Sequence, residues 1–279
     1  KSMDTRCVTD ATEDYGWWRA RNGCGTAEWL AMSHFWPTMV PPDQYFKDHP
    51  DYFAMVNGKR VPTQLETANP QLVALLIEKS KEWLHASSWR ASVPMEFNDG
   101  LDYSMSPESL ALDPPNNPSY MGIPSMSDRL VILSNQIGES IEKEFPDKVV
   151  SMLAYTHHTL PPVKVRPRPN VAVALTRSWG CLVHLMPRAK DPKSLIFWQN
   201  LEGWRKVCSR MYTYDWVPIF WAGGLPCPLI LEYPRALKKA HALGVKGNYS
   251  EKPALSDASD FVGDYIEWRI NADSIRHPE

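Results

Sequence analysis

Residues 92–103 read Ser92-Val-Pro-Met-Glu-Phe-Asn-Asp-Gly-Leu-Asp-Tyr103, and this stretch decides the fold class. An extended, mostly apolar run stops on Glu96, Asn98 and Asp99 and then on a glycine. Successive side chains of a strand alternate between its faces, so Glu96 and Asn98 share the face of Ser92 while Val93, Met95 and Phe97 take the other. Asp99 falls where strand gives way to loop, and Gly100 permits the turn. A strand that ends in convergent carboxylates is where an α/β barrel keeps its chemistry. The plain alternative is an Asn-Asp-Gly turn whose side chains bond only nearby backbone.

Working outward, apolar runs alternate with helical patterns. A first strand is expected within 21–34, blurred by Gly23 and Gly25, and a short helix over 41–52. Asn69-Pro70 opens a helix, with Asn69 as N-cap and Leu72, Leu75, Leu76 and Trp83 on one face. A strand over 91–97 and a Pro-rich loop over 102–125 follow. Ser127-Asp128 is then expected to cap a helix striped by Leu130, Leu133, Ile137 and Ile141. Strands are expected over 149–155, 170–176, 207–214 and 244–251, and helices over 192–206, 234–243 and 257–269, with Gly244 ending the second of these. Strand and helix in alternation mean parallel pairing. About six such units are legible where a closed barrel needs eight. The expectation is one TIM-type (β/α)8 barrel domain over 1–279, irregular on its N-terminal side or with its first units upstream of Lys1.

Composition narrows the function classes. Of 279 residues 43% are hydrophobic, enough for one large core. With 30 Lys+Arg against 32 Asp+Glu there is no basic stripe for nucleic acid. No apolar run is long enough for a membrane span. Cys7, Cys24, Cys181, Cys208 and Cys227 are scattered and have no zinc spacing, which favours buried thiols. Twelve Trp and 25 Pro are many. Most Trp belongs to cores, but flat aromatic faces near loops also pack against pyranose rings.

Polar groups collect at the expected strand ends. They are His34 with Trp36; Glu96, Asn98 and Asp99; Tyr155, His157 and His158; Arg177 and Trp179; Tyr214, Asp215 and Trp216; and Asn248, Tyr249 and Glu251. In a barrel all these ends meet at one mouth. His34 alone also reads as a satisfied structural histidine, Asp128 and Asn69 as caps, and Glu251 as a surface acid beside Lys252. Adjacent His157 and His158 point apart on an extended chain and have no third ligand at a standard spacing, so no metal is expected. No cofactor motif, P-loop or nucleophile elbow is present. Carboxylates and aromatics at a mouth suit glycoside hydrolysis, which needs a proton donor and a second group to stabilise charge at the sugar carbon.

An ordered series of short motifs extends this reading. His34, Pro41-Pro42, Tyr45-Phe46, His49-Pro50, Tyr52-Phe53-Ala54, Gly58-Lys59-Arg60, Gln64-Leu65, Asn69-Pro70, Asn98-Asp99-Gly100, Ser127-Asp128, Phe145-Pro146-Asp147-Lys148, Ala154-Tyr155, Pro161-Pro162, Pro169-Asn170-Val171 and Gly244-Val245-Lys246-Gly247 run along nearly the whole chain. The series resembles the domain of unknown function 4838 family, which is similar to glycoside hydrolase family 163. That resemblance implies a (β/α)8-type catalytic domain with an upstream domain. The implied activity is retaining endo-β-N-acetylglucosaminidase action on N-glycans, assisted by the substrate acetamido group, in a bacterial protein of the periplasm or exterior. The implied partner is an oligosaccharide or glycoprotein glycan, with no cofactor. Under it, Asp99 and Glu251 are the leading acids and Glu96 the reserve. His34, Trp36, Asn98, Tyr155, His157, Trp179, Tyr214, Trp216 and Asn248 hold the sugar. The chain departs from the family in its 103–109 loop, which has no cysteine, and at Glu96, where a small residue is more usual. Two other readings stand beside this one: a carbohydrate-binding barrel without catalysis, and a structural or assembly component.

Overall fold

The computed structural model describes residues 30–88, 90–177, 185–187, 192–216 and 232–251. Its chain divides into two units, one of Leu30–Ala174 with Lys206–Arg210 and one that takes in Leu175–Arg205 and Met211–Glu279.

The first unit begins with two single-turn helices, α1 (Trp36–Met39) and α2 (Pro42–Tyr45), and a 3-10 turn over Pro50–Tyr52. The single helix expected over 41–52 is thereby corrected. Pro50 has no N–H to continue a helix, and it pushes His49 out of helical geometry. A hairpin follows: β1 (Phe53–Val56) pairs antiparallel with β2 (Lys59–Leu65), Val56 opposite Lys59. Its turn residues Asn57 and Gly58 both have positive φ, 49° and 74°, which a two-residue hairpin of this twist requires.

Helix α3 (Pro70–His85) starts where expected. The Asn69 side chain accepts the N–H groups of Gln71 and Leu72, and Leu72, Val73, Leu76 and Leu84 are buried. Strand β3 (Ser92–Pro94) leads through α4 (Pro107–Leu110) and a small ladder of β4 (Ser119–Tyr120) and β5 (Ile123–Pro124) to α5 (Ser127–Glu142). The cap expected from Ser127-Asp128 is corrected. Met126 takes the cap position without a side-chain bond. Asp128 is buried and accepts the backbone N–H groups of Val163, Lys164 and Val165 instead, so it anchors a loop.

Strand β6 (Val149–Ala154) lies between β3 and β7 (Val171–Thr176). β3 and β6 are parallel, Ser92 opposite Val149 and Pro94 opposite Ser151. The connection through α5 makes a βαβ unit. β6 is buried along its whole length, which is the pattern of a strand covered on both faces. Residues 30–35 form no strand, and 21–29 lie outside the described residues. The Ala31 N–H instead donates to Ser92 Oγ (2.7 Å), and Ser151 Oγ donates to Ala31 O.

The second unit holds α6 (Pro192–Arg205), α7 (Glu232–Ala242) and a parallel pair, β8 (Arg210–Trp216) and β9 (Asn248–Glu251), with Thr213 opposite Asn248 and Trp216 opposite Glu251. Gly244, with φ +83°, ends α7 as the sequence predicts. The helix expected over 257–269 lies outside the described residues. Parallel strands joined by helices make the fold α/β.

Candidate functional site

Because β3 and β6 are neighbouring parallel strands, their C-terminal ends open side by side. Residues 95–99 and 155–158 meet there. The His34 ring Nδ1 donates to Phe97 O, and its Nε2 lies 3.3 Å from Asp99 Oδ1. A carbonyl oxygen only accepts, so Nδ1 holds a proton. With Nδ1 engaged there, Nε2 is the ring nitrogen turned toward Asp99. Asp99 is 72% exposed and His34 33%. Tyr155, half-buried, has its ring centroid 6.3 Å from that of His34.

Beneath this exposed pair lies a buried one. Glu96 Oε1 and His158 Nε2 are 2.6 Å apart with both side chains 1% exposed. No hydrogen bond forms between these two atoms, so the contact is one of close packing. The other carboxylate oxygen of Glu96 accepts the Leu153 N–H at 2.7 Å. Phe97 and Tyr155 flank His158 at 5.3 and 6.3 Å between centroids. Burial holds the His157 imidazole below its ordinary range, with His158 beside it as a smaller cause. Burial also pushes the Tyr103 phenol up, against a hydrogen bond with Thr156, and the nearby acids Glu96 and Asp99 add to the rise. Thr156 has φ +43°. A β-branched residue in that region is strained, and such strain gathers at functional ends of strands.

Several expected roles are corrected here. Glu96 is sealed from solvent and serves His158 and Leu153. Trp36 is wholly buried and packs edge-on against Phe97 at 5.0 Å, so its face is not offered to a sugar. His157 is buried. Asn98 spends its amide N–H on Thr63 O (2.7 Å), and its side-chain oxygen is buried. Asp99, His34 and Tyr155 are the expected residues that this end brings together within reach of solvent.

In the second unit Asn248 joins a polar network. Its amide donates to Asp215 Oδ2 (2.7 Å) and Thr213 Oγ1 (2.8 Å), and its oxygen accepts from the Tyr233 hydroxyl (2.8 Å). Arg177 Nε donates to Asp215 Oδ1 at 2.9 Å, with its guanidinium 3.7 Å over the Phe197 ring. Tyr214 is stacked on Tyr249 at 4.5 Å. These contacts engage Asn248 and Tyr214, both expected to hold sugar, within the second unit. Trp179 lies outside the described residues. Trp216 and Glu251 end β8 and β9, with side chains outside the described residues.

Sequence reasoning missed Gln64. It is buried, and its carboxamide exchanges two hydrogen bonds with the backbone of Asn98: the Asn98 N–H donates to Oε1 (3.0 Å) and Nε2 donates to Asn98 O (2.5 Å). The Asn57-Gly58 turn was the available signal, because it predicts the hairpin that delivers Gln64.

A groove of about 610 Å³ lined by Glu78, Lys81, Glu82, His85, Ala86 and Glu144 lies where α3 ends and β6 has yet to begin, so it belongs to the other end of the strands. Within it Glu144 lies 2.5 Å from His85 and 3.7 Å from Lys81. Among the described residues no group of three or more His, Cys, Asp and Glu is arranged to hold a metal ion, and no helix is long and apolar enough to cross a membrane. Cys208 is a buried thiol.

No curated protein matches the sequence. Among solved structures, the chain is similar to a xylose isomerase-like TIM barrel protein from Mycobacterium smegmatis in complex with magnesium, at 15% identity and a TM-score of 0.32. The likeness covers 72% of this chain and 65% of that one, so the chain spans less than two thirds of that protein's length. Residues 2–271 match the family described as "Domain of unknown function (DUF4838)", and the chain belongs to that family.

Proposed function

We propose that the chain is a glycoside hydrolase that cleaves β-N-acetylglucosaminide linkages in N-glycan-type oligosaccharides. Cleavage goes with retention and with help from the substrate's own acetamido group. The reading takes the parallel strands as part of a TIM-type (β/α)8 barrel with its mouth at their C-terminal ends. It takes the likeness of the family to glycoside hydrolase family 163 as the guide to substrate and to an exported, bacterial setting.

The observation that carries it is the contact of His34 with Asp99. The contact sets the His34 ring, with its Nδ1 donating to Phe97 O, 3.3 Å from Asp99 Oδ1. A glycosidic leaving oxygen needs a carboxyl group at hand to supply a proton, and Asp99 is a carboxyl that this strand end exposes. In the first step Asp99 passes that proton to the leaving oxygen as the bond from C1 breaks. The acetamido oxygen closes on C1 from the opposite face. A water then attacks C1, losing a proton to Asp99, and the acetamido group departs. Tyr155 supplies an aromatic surface for the sugar beside His34.

A second reading has its own observation. Asp99 is 72% exposed and Glu96 is sealed off, which suits a site that binds glycans without cutting them. The experiment is incubation with a biantennary complex-type glycopeptide and mass measurement of the products. The hydrolase reading expects peptide carrying a single N-acetylglucosamine together with the released glycan. Intact glycopeptide that binds, as read by calorimetry, would move the assignment to the second reading. Intact glycopeptide that does not bind would overturn both.

A further inference from the structure

We infer that Gln64 is the positioning residue of the Asp99 site, holding the Asn98-Asp99 turn by a clamp on the backbone of Asn98. An extended residue turns its own N–H and C=O to the same side, and a neighbouring strand would satisfy both by exchanging two hydrogen bonds with it. β3 ends at Pro94, so beyond it the chain needs another partner. The Gln64 carboxamide takes that place, accepting the Asn98 N–H at 3.0 Å and donating to Asn98 O at 2.5 Å. A third bond, from the Asn98 side-chain amide to Thr63 O at 2.7 Å, ties the same residue to the same strand.

The consequence falls on Asp99. On its N-terminal side Asn98 is fixed by Gln64, and Phe97 O is held by the His34 ring. On its other side Gly100 turns away at φ +126°. An exposed carboxylate is thus mounted directly after a backbone pinned at Phe97 and Asn98, 3.3 Å from the His34 ring. Gln64 is 1% exposed, so it meets no substrate and acts only through this mounting. A planar group with one donor and one acceptor side by side is needed. Leucine offers neither, and an ionised glutamate offers two acceptors and sets one of them against the Asn98 carbonyl.

The catalytic meaning of the clamp rests on the hydrolase reading; the clamp itself does not, and the experiment separates them. Hydrogen exchange of the Asn98 amide is measured by NMR in the full chain for wild type, Gln64→Leu and Gln64→Glu, with thermal melting of each. Protection of the Asn98 amide is expected to fall about tenfold in Gln64→Leu. In Gln64→Glu the ionised acid repels the Asn98 carbonyl, so at pH 7 the pair is expected to open and protection to fall; near pH 4, where the protonated acid again has a donor and an acceptor, it is expected to return to the wild-type factor at the same pH. If Gln64→Leu fails to fold, the two pH values of Gln64→Glu decide alone. Wild-type protection in Gln64→Glu at pH 7, or no recovery near pH 4, overturns the clamp. With a cleavable glycan, turnover should drop about 100-fold with KM within about twofold of wild type. Lost protection with unchanged turnover in an active enzyme overturns the positioning role. A wild type that cleaves nothing overturns the hydrolase reading while the exchange result still judges the clamp.

Discussion

Glu96 and His158 meet 2.6 Å apart in the floor of the site, one from the end of β3 and one from the end of β6, each 1% exposed. The same Glu96 accepts the Leu153 N–H, so one carboxylate ties the two strand ends together. It is a framework acid, out of reach of any substrate, and this separates it from Asp99, three residues on and largely in water.

Removing that carboxylate leaves the Leu153 N–H and the His158 ring buried without their partner. Glu96→Ala should cost about 1–3 kcal/mol of unfolding free energy. Glu96→Gln, which keeps an acceptor for Leu153, should lose less. Urea denaturation measures both, and a loss under about 1 kcal/mol for the alanine variant would mean that the strand ends do not depend on this pair.

Glu66 gives the chain a dependence on acid. Burial alone would raise its carboxyl, but hydrogen bonds from Ser104, Ser109, Ser106 and Arg60 bring it below the ordinary value of 4.5. The folded form therefore favours the ionised acid. The stability it contributes is complete above the unfolded value and is lost as pH falls through the lower, folded one. Unfolding free energy should fall as pH drops below about 4.5, the ordinary value. Glu66→Gln should be about 1–3 kcal/mol less stable at pH 7 and show a flatter acid limb. Parallel acid limbs in the two proteins would remove Glu66 as their cause.

Asp128 holds a loop from a distance. Its carboxylate takes three consecutive backbone N–H groups, at 3.0, 2.7 and 3.0 Å from Val163, Lys164 and Val165. Asp128→Ala should leave those amides unpaired and make the bond after the exposed Lys164 the first to be cut by trypsin, at about tenfold the wild-type rate. Fragment masses over a time course decide it; an unchanged cleavage order would show the loop to be held by other contacts.

Two of these acids, Glu96 and Asp128, also mark what a sequence discloses. A strand here was legible from the apolar run, although it ends at Pro94 and not at Phe97, and Asn98-Asp99-Gly100 marked the turn beyond it. Its pairing with the end of β6 followed from the strand–helix–strand order. The fate of Glu96 was not legible. Alternation put it on a polar face with Ser92, but a strand in a parallel layer is covered on both faces, and Ser92 and Glu96 are each 1% exposed. Asp128 looked like a cap because helix starts favour aspartate, while its partners lie 35 to 37 residues further on, where no local pattern points. The hairpin was within reach, since Asn57-Gly58 is a strong turn signal. Gln64 was hidden because its role depends on meeting the backbone of residue 98, and a backbone partner leaves no mark on composition or periodicity.

The assignment of Asp99 as proton donor is tested most directly by Asp99→Asn, with turnover of an N-acetylglucosamine-containing glycopeptide and its binding by calorimetry measured side by side. The account predicts turnover lower by about 10²–10⁴-fold with affinity within a few-fold of wild type, since a general acid acts in the transition state. Wild-type turnover in Asp99→Asn would contradict it.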